Sequence, residues 1–251
     1  MLRALIFDVD GTLADTERDG HRVAFNRAFA DAGLDWHWDV ARYGELLRVT
    51  GGRERILHFM ENGEASIPAA ERDALARTLH ALKTKHYLRM VDEGVVQLRP
   101  GVARLLSEAH ALGLTLAIAT TTSRANIDAL LAHTLPPGAL GWFAVIGAAE
   151  DAPRKKPDPQ VYEFVLEQLK FAPDECLAIE DSAAGLLAAT AVGLRTIVTV
   201  NDYTREQDFS GALTVLSDFG ERAAPARVLA GVGAGGAVVD VAQLKVWHAH
   251  G

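Results

Sequence analysis

The stretch Ala4-Leu5-Ile6-Phe7-Asp8-Val9-Asp10-Gly11-Thr12 decides how this chain is read. Four apolar residues in a row suit a short strand covered on both faces, and Gly11 marks the turn that ends it. Two carboxylates follow the strand at once. In an open α/β sheet, ligands gather beyond the carboxyl ends of the strands. Alternation along an extended chain puts Asp8 and Asp10 on one side, where they repel each other unless a cation or a shared proton intervenes. The same residues also fit a plain helix start, with Asp10 or Thr12 as N-cap and Gly11 turning the chain. Taken alone, the stretch leaves both readings open.

Working outward, further apolar runs predict strands at Leu114–Ala119, Trp142–Ile146, Cys176–Ile179 and Leu194–Val198. Helical patterns separate them at about 101–112, 124–133, 158–170 and 182–191, opened at Pro100-Gly101 and Pro157-Asp158-Pro159 and closed at Gly113 and Gly193. This alternation predicts an α/β fold, a doubly wound parallel sheet. Residues 14–93 break the pattern with amphipathic helices only, such as Ile56/Leu57/Phe59/Met60 and Leu75/Leu79/Leu82. Eighty residues are too many for a structureless loop. The expected organisation is a core of 1–13 and 94–222, a helical insertion at 14–93, and an Ala/Gly-rich tail at 223–251. Gly231-Val232-Gly233-Ala234-Gly235-Gly236 in that tail matches a dinucleotide-binding pattern without its strand–helix context, so a flexible or loosely docked segment is expected. His248 and His250 alone make a weak metal site.

A second acidic pair changes the weighing of the first. Glu180-Asp181-Ser182 again follows an apolar strand. Asp181 there suits an N-cap, but two strand ends with paired carboxylates together suit a hard cation such as Mg2+. Thr120-Thr121-Thr122-Ser123 after the second strand offers hydroxyls and helix-entry N–H groups to a phosphate, or simply a cap cluster. Arg154-Lys155-Lys156-Pro157 after the third supplies positive charge, or an ordinary solvated loop. Four such loops at one sheet edge favour a site.

Composition narrows the function classes. The 251 residues carry 25 basic and 33 acidic side chains, a formal net charge of −8, which argues against a nucleic-acid footprint. A single cysteine, Cys176, precludes an internal disulfide and favours a reducing, cytoplasmic setting. No apolar run is long enough for a membrane span. Asp8 and Asp10 interrupt the N-terminal apolar stretch too early for a signal peptide. No feature specifies a protein partner.

In order and spacing, Asp8-Val9-Asp10-Gly11-Thr12, Thr120, Lys156-Pro157 and Glu180-Asp181-Ser182 resemble the four motifs of the haloacid dehalogenase-like (HAD) phosphohydrolases, over about residues 3–200. The insertion after the first motif resembles the helical cap of the β-phosphoglucomutase-like group. Asp15-Thr16, Phe25-Asn26, Trp36-His37-Trp38-Asp39, Thr50-Gly51-Gly52-Arg53-Glu54-Arg55 and Lys155-Lys156-Pro157 look most like the CbbY-type sugar-bisphosphate phosphatases of carbon-fixing organisms.

The resemblance implies a Rossmann-like HAD core with an inserted cap, and an aspartyl-phosphate mechanism. Asp8 is then the nucleophile and Asp10 the general acid and base. Thr120 and Lys156 hold the transferring oxygens, with Lys155 a competing choice that fits the pattern less well. Asp8, Asp10 (through a backbone oxygen), Glu180 and Asp181 hold Mg2+. Substrate contacts are expected from Thr121 and Thr122 in the core. In the cap they are expected from Thr50, Gly51, Gly52 and Arg53, the arginine on a second phosphate. Glu17 and His21 are further candidates for sugar-hydroxyl or gating contacts, although His21 stands one residue further along than the mutase pattern. Arg55 also suits a bisphosphate electrostatically but reads rather as helix-surface charge, and Trp36–Trp38 as packing. Residues 14–17 and 90–100 are the natural hinges. The implied reaction is Mg2+-dependent dephosphorylation of a sugar phosphate, specifically xylulose 1,5-bisphosphate, an inhibitor of Rubisco. β-Phosphoglucomutase, phosphoglycolate phosphatase and a non-catalytic binding protein on the same fold are the alternatives.

Overall fold

In the computed structural model, which describes residues 1–62, 67–233 and 236–250, Ala4–Phe7 forms strand β1 with every residue buried. One π-helical turn, Glu17–His21, then leads into α1 (Arg22–Asp31), α2 (Val40–Leu46), α3 (Gly52–Glu61) and α4 (Ala69–Asp92). Alternation follows: α5 (Val102–Ala111), β2 (Thr115–Ala119), α6 (Arg124–Thr134), β3 (Phe143–Gly147), α7 (Gln160–Leu169), β4 (Cys176–Glu180), α8 (Ala183–Ala191) and β5 (Arg195–Thr199). The chain closes with β6 (Thr214–Leu216), β7 (Ala226–Gly231), β8 (Gly236–Ala237) and α9 (Val241–His250). It divides into two compact units, Met1–Asp15 with Gln97–Gly251, and Thr16–Val96.

The first unit is built on a sheet of order β3-β2-β1-β4-β5-β6-β7-β8. Strands β1 to β6 are parallel, and β7 and β8 are antiparallel additions. The order reverses at β1, with β2 and β3 on one side and β4 to β6 on the other, and such a switch point opens a crevice at the strands' carboxyl ends. The apolar runs are continuous because helices cover the strands: Ile6, Ala117, Ala119 and Ala178 pack with Val161 and Val165 of α7 and with Ala188 and Ala189 of α8.

The C-terminal segment differs from its expectation. Its Ala/Val run pairs antiparallel with β6, extending the sheet rather than trailing from it. Gly231 takes a left-handed φ of +83° where an added Cβ would overlap the Leu213 carbonyl, so this glycine serves a tight strand exit and not a dinucleotide. Ala234 and Gly235 of the glycine-rich motif lie outside the described residues. Val241, Leu244 and Trp247 recur at helical spacing along α9 and are buried. The glycines mask that short period in the sequence.

The second unit is helical. α4 packs against both α1 and α3. Trp38 is fully buried, its ring 4.8–6.1 Å from those of Phe25, Phe29, Tyr43 and Phe59. The Asn26 side chain pairs with both the N–H and the carbonyl of Trp38, which fixes the α1–α2 connection. Among the described residues, no helix is long and apolar enough to cross a membrane.

Candidate active site

Register brings the two acidic pairs together. β1 pairs directly with β4, Phe7 opposite Ile179, and the Asp8 N–H continues the ladder by donating to the Ile179 carbonyl at 3.0 Å. Asp8, Glu180 and Asp181 are all buried, and each offers a carboxylate oxygen within 4.8 Å of the others. The helix-cap alternatives are not realised. No α-helix begins at Asp10 or Thr12, and the cap of α8 is Ser182, whose hydroxyl accepts from the Gly185 N–H, leaving Asp181 to the cluster. Asp10 stands beside Asp8, and its negative charge adds to those acting on it.

The loop after β3 delivers Lys156 into this cluster. Its ammonium donates to Asp8 Oδ1 at 2.7 Å, Glu180 Oε1 at 2.5 Å and the Ala119 carbonyl at 2.9 Å, which uses all three of its N–H groups. Burial alone would lower its pKa, but the two carboxylates overcome that and hold the ammonium above its ordinary range. Lys155 instead donates to the carbonyls of Ala149 and Ala152 in its own loop.

Tyr162 of α7 was not foreseen from the sequence, where it reads as one apolar position of an amphipathic helix. Its hydroxyl donates to Glu180 Oε1 at 2.5 Å, and its ring lies 5.2 Å from the Lys156 ammonium. Glu180 is therefore fully enclosed, one oxygen held by Lys156 and Tyr162. The other, Oε2, has no hydrogen-bond partner among the described residues.

Burial raises the Asp8 carboxyl to about 7 against the pull of Lys156, with Glu180 and Asp10 adding to the rise. Burial likewise pushes Asp181 well up, reinforced by Asp8 and Glu180 and opposed by Arg99 and an Asn201 hydrogen bond. Three buried carboxylates thus face one contacting ammonium, with an orphaned carboxylate oxygen among them. This all-oxygen, charge-deficient cluster fits a hard divalent cation.

At the end of β2, Thr120 is buried, and its N–H donates to the Gly147 carbonyl at 3.0 Å. Its hydroxyl faces the Thr122 N–H at 3.4 Å, a long contact, and Thr121 and Thr122 are half-buried. Ser123 occupies the N-cap of α6 without making a capping bond.

The remaining expected residues all lie in the helical unit. Glu17 Oε2 accepts from the Tyr43 hydroxyl at 2.5 Å, and that hydroxyl accepts from Arg55 Nη1 at 3.0 Å. Arg55 is buried, not surface charge, because its guanidinium also satisfies the carbonyls of Leu46 at the end of α2 and of Val49 in the connection to α3. Arg53 is partly exposed and paired with Asp73. Gly51 takes a φ of +99° at the N-cap of α3, and Thr50 and Gly52 flank it, half-buried. His21 is buried, its ring 4.1 Å from that of Tyr87. Lys83 was also missed: its ammonium lies buried over the rings of Phe25 and Tyr87 at 5.2 and 5.3 Å. A lysine in a charged helix reads as surface, and only packing reveals it.

Comparison with known proteins agrees with this geometry. The model of the haloacid dehalogenase-like hydrolases matches residues 2–193. Protein CbbY of Cupriavidus necator is 48% identical over 252 residues, covering 100% of this chain and 98% of the relative. The crystal structure of CbbY from Rhodobacter sphaeroides in complex with phosphate superposes with a TM-score of 0.80 at 43% identity, covering 88% of this chain and 96% of that one. A mutant of that protein, in complex with xylulose 1,5-bisphosphate, gives the same TM-score of 0.80 at 42% identity, with coverage of 88% and 96%. The chain belongs to the haloacid dehalogenase-like hydrolases, alongside the CbbY proteins.

Proposed function

We propose that this chain is a Mg2+-dependent phosphatase that converts xylulose 1,5-bisphosphate to xylulose 5-phosphate in the cytoplasm. The observation that carries the reading is the buried cluster of Asp8, Glu180 and Asp181 around Lys156, a nucleophile, a cation cradle and a fixed ammonium in one place. The substrate rests on the bisphosphate bound by the 42%-identical CbbY mutant.

Asp8, Glu180 and Asp181, with a backbone oxygen of Asp10, would hold Mg2+. When bound, the ion offsets the repulsion between the Asp8 carboxylate and a phosphate dianion and favours the ionised nucleophile. Asp8 attacks phosphorus, the bond from phosphorus to the sugar oxygen breaks, and Asp10 protonates that leaving oxygen. Asp10 then takes a proton from water, which attacks the aspartyl phosphate and releases inorganic phosphate with Asp8 restored. Lys156 holds Asp8 in position, and with Thr120 it stabilises the transferring oxygens, while Thr121 and Thr122 line their approach. We assign recognition of the second phosphate to Arg53, whose planar guanidinium suits it. Glu17, His21, Thr50, Gly51 and Gly52 complete the sugar contacts.

The test is phosphate release across sugar mono- and bisphosphates of three to seven carbons, with and without Mg2+. The expected result is Mg2+-dependent release, greatest for xylulose 1,5-bisphosphate and abolished in a folded Asp8→Asn variant. Full activity in that variant overturns the covalent mechanism. Interconversion of sugar phosphates without net release would make the chain a mutase.

A further inference from the structure

We propose that Asn201 is a positioning residue for the metal centre, holding Asp181 in the orientation a small cation needs. The inference rests on the Mg2+ reading above. Asn201 stands two residues beyond β5, and its Nδ2 donates to Asp181 Oδ2 at 2.7 Å. Its orientation is settled by its other end, since Oδ1 accepts from the Tyr203 N–H at 2.9 Å and only an oxygen can meet that donor. The amide nitrogen is thereby turned to Asp181.

The segment carrying Asn201 is anchored. The buried guanidinium of Arg99 donates to the carbonyls of Thr199 at 3.0 Å, Val200 at 2.6 Å and Ser217 at 2.7 Å, and to the Thr199 hydroxyl at 2.9 Å. The same group donates to the Gly11 carbonyl, so one side chain joins the end of β5 to the turn after Asp10. The Asn201 backbone N–H is also held, by Thr204 Oγ1 at 3.0 Å. Gly11 has a φ of +86°, and an added Cβ would overlap both Asp181 Oδ2 and Asn201 Nδ2. The amide–carboxylate bond therefore lies directly against the first acidic loop.

This arrangement answers an electrostatic problem. Asp181 shares its burial with Asp8 and Glu180, and like charges at this range push one another apart. A neutral donor on Oδ2 holds the carboxylate in place without competing as a cation. Mg2+ demands near-ideal octahedral geometry, whereas Ca2+ accepts longer and irregular ligand sets. Loss of positioning should therefore cost Mg2+ affinity far more than Ca2+ affinity. Damage to the turn alone would lower the affinity for both ions together.

The experiment is calorimetric titration of the full chain with MgCl2 and with CaCl2, for the wild type and Asn201→Ala. The expected result is a Mg2+ affinity weakened about tenfold or more, the range set by partners that orient metal ligands, with Ca2+ affinity changed less than about threefold. Unchanged Mg2+ affinity, or equal loss for both ions, overturns the proposal. Absence of Mg2+ uptake by the wild type overturns the metal reading itself, a result visible without any variant. If Asn201→Ala does not fold, Asn201→Ser decides on the same criteria. Its hydroxyl can still accept from the Tyr203 N–H but is too short to reach Asp181.

Discussion

The hydroxyl of Tyr162 donates to Glu180 Oε1 at 2.5 Å, the same oxygen that Lys156 engages. The phenol is buried, and burial together with the nearby Glu180 charge pushes its pKa well above the ordinary value, so it stays a donor at any neutral pH. Hydrogen bonds to charged groups contribute about 1.5–3 kcal/mol. Tyr162→Phe keeps the ring and removes only this donor, so urea unfolding should show a loss of about 1.5–3 kcal/mol. Stability equal to that of the wild type would mean that Lys156 alone satisfies Glu180.

Gly185 provides a test of opposite sign to the usual helix rule. In a helix interior, replacing glycine with alanine stabilises by about 1 kcal/mol. Gly185 lies in the first turn of α8, where an added Cβ would overlap the buried Glu180 carboxylate. Gly185→Ala should instead destabilise by about 1–3 kcal/mol, the cost of overpacking, and weaken Mg2+ binding by displacing Glu180. Thermal unfolding without metal and Mg2+ titration measure the two effects. A stabilised variant would show that Glu180 has room to move and is not fixed by α8.

The core of the fold was legible in the sequence because buried parallel strands must be apolar throughout. The runs at Ala4–Phe7 and Cys176–Ile179 could be little else, and the acids that follow each stand out against them. The pairing of β1 with β4, which turns two separate acidic pairs into one cluster, follows from the switch point and is not a local property. What was not legible is what long-range packing decides. Tyr162, Arg99 and Asn201 look like an apolar helix position, a loop cation and a turn residue, and each gains its role only from a partner 18 to 118 residues away. Arg55 was misread although its partners are nearer, the carbonyls of Leu46 and Val49, because the turn that aims them at the guanidinium is itself a product of packing. The C-terminal strands were hidden by a glycine-rich stretch, of which Gly231 serves the exit of β7.

His80 on α4 makes the helical unit sensitive to acid. Burial first, and then the Lys83 ammonium, lower its pKa from 6.5 to about 4; His21 and Arg53 act in the same direction and Glu54 opposes them. Above pH 6.5 the imidazole is neutral in both folded and unfolded chains and has no effect on stability. Below it, the unfolded chain takes up a proton that the folded unit refuses until about pH 4. Stability must therefore fall as pH drops through that window, and the dependence ends once both states are protonated. His80→Gln removes this linkage, so its unfolding midpoint should decline less steeply between pH 6.5 and 4 than that of the wild type. Urea unfolding at half-unit steps of pH measures both slopes, and parallel curves would show that His80 is protonated as readily in the folded unit as in the free chain.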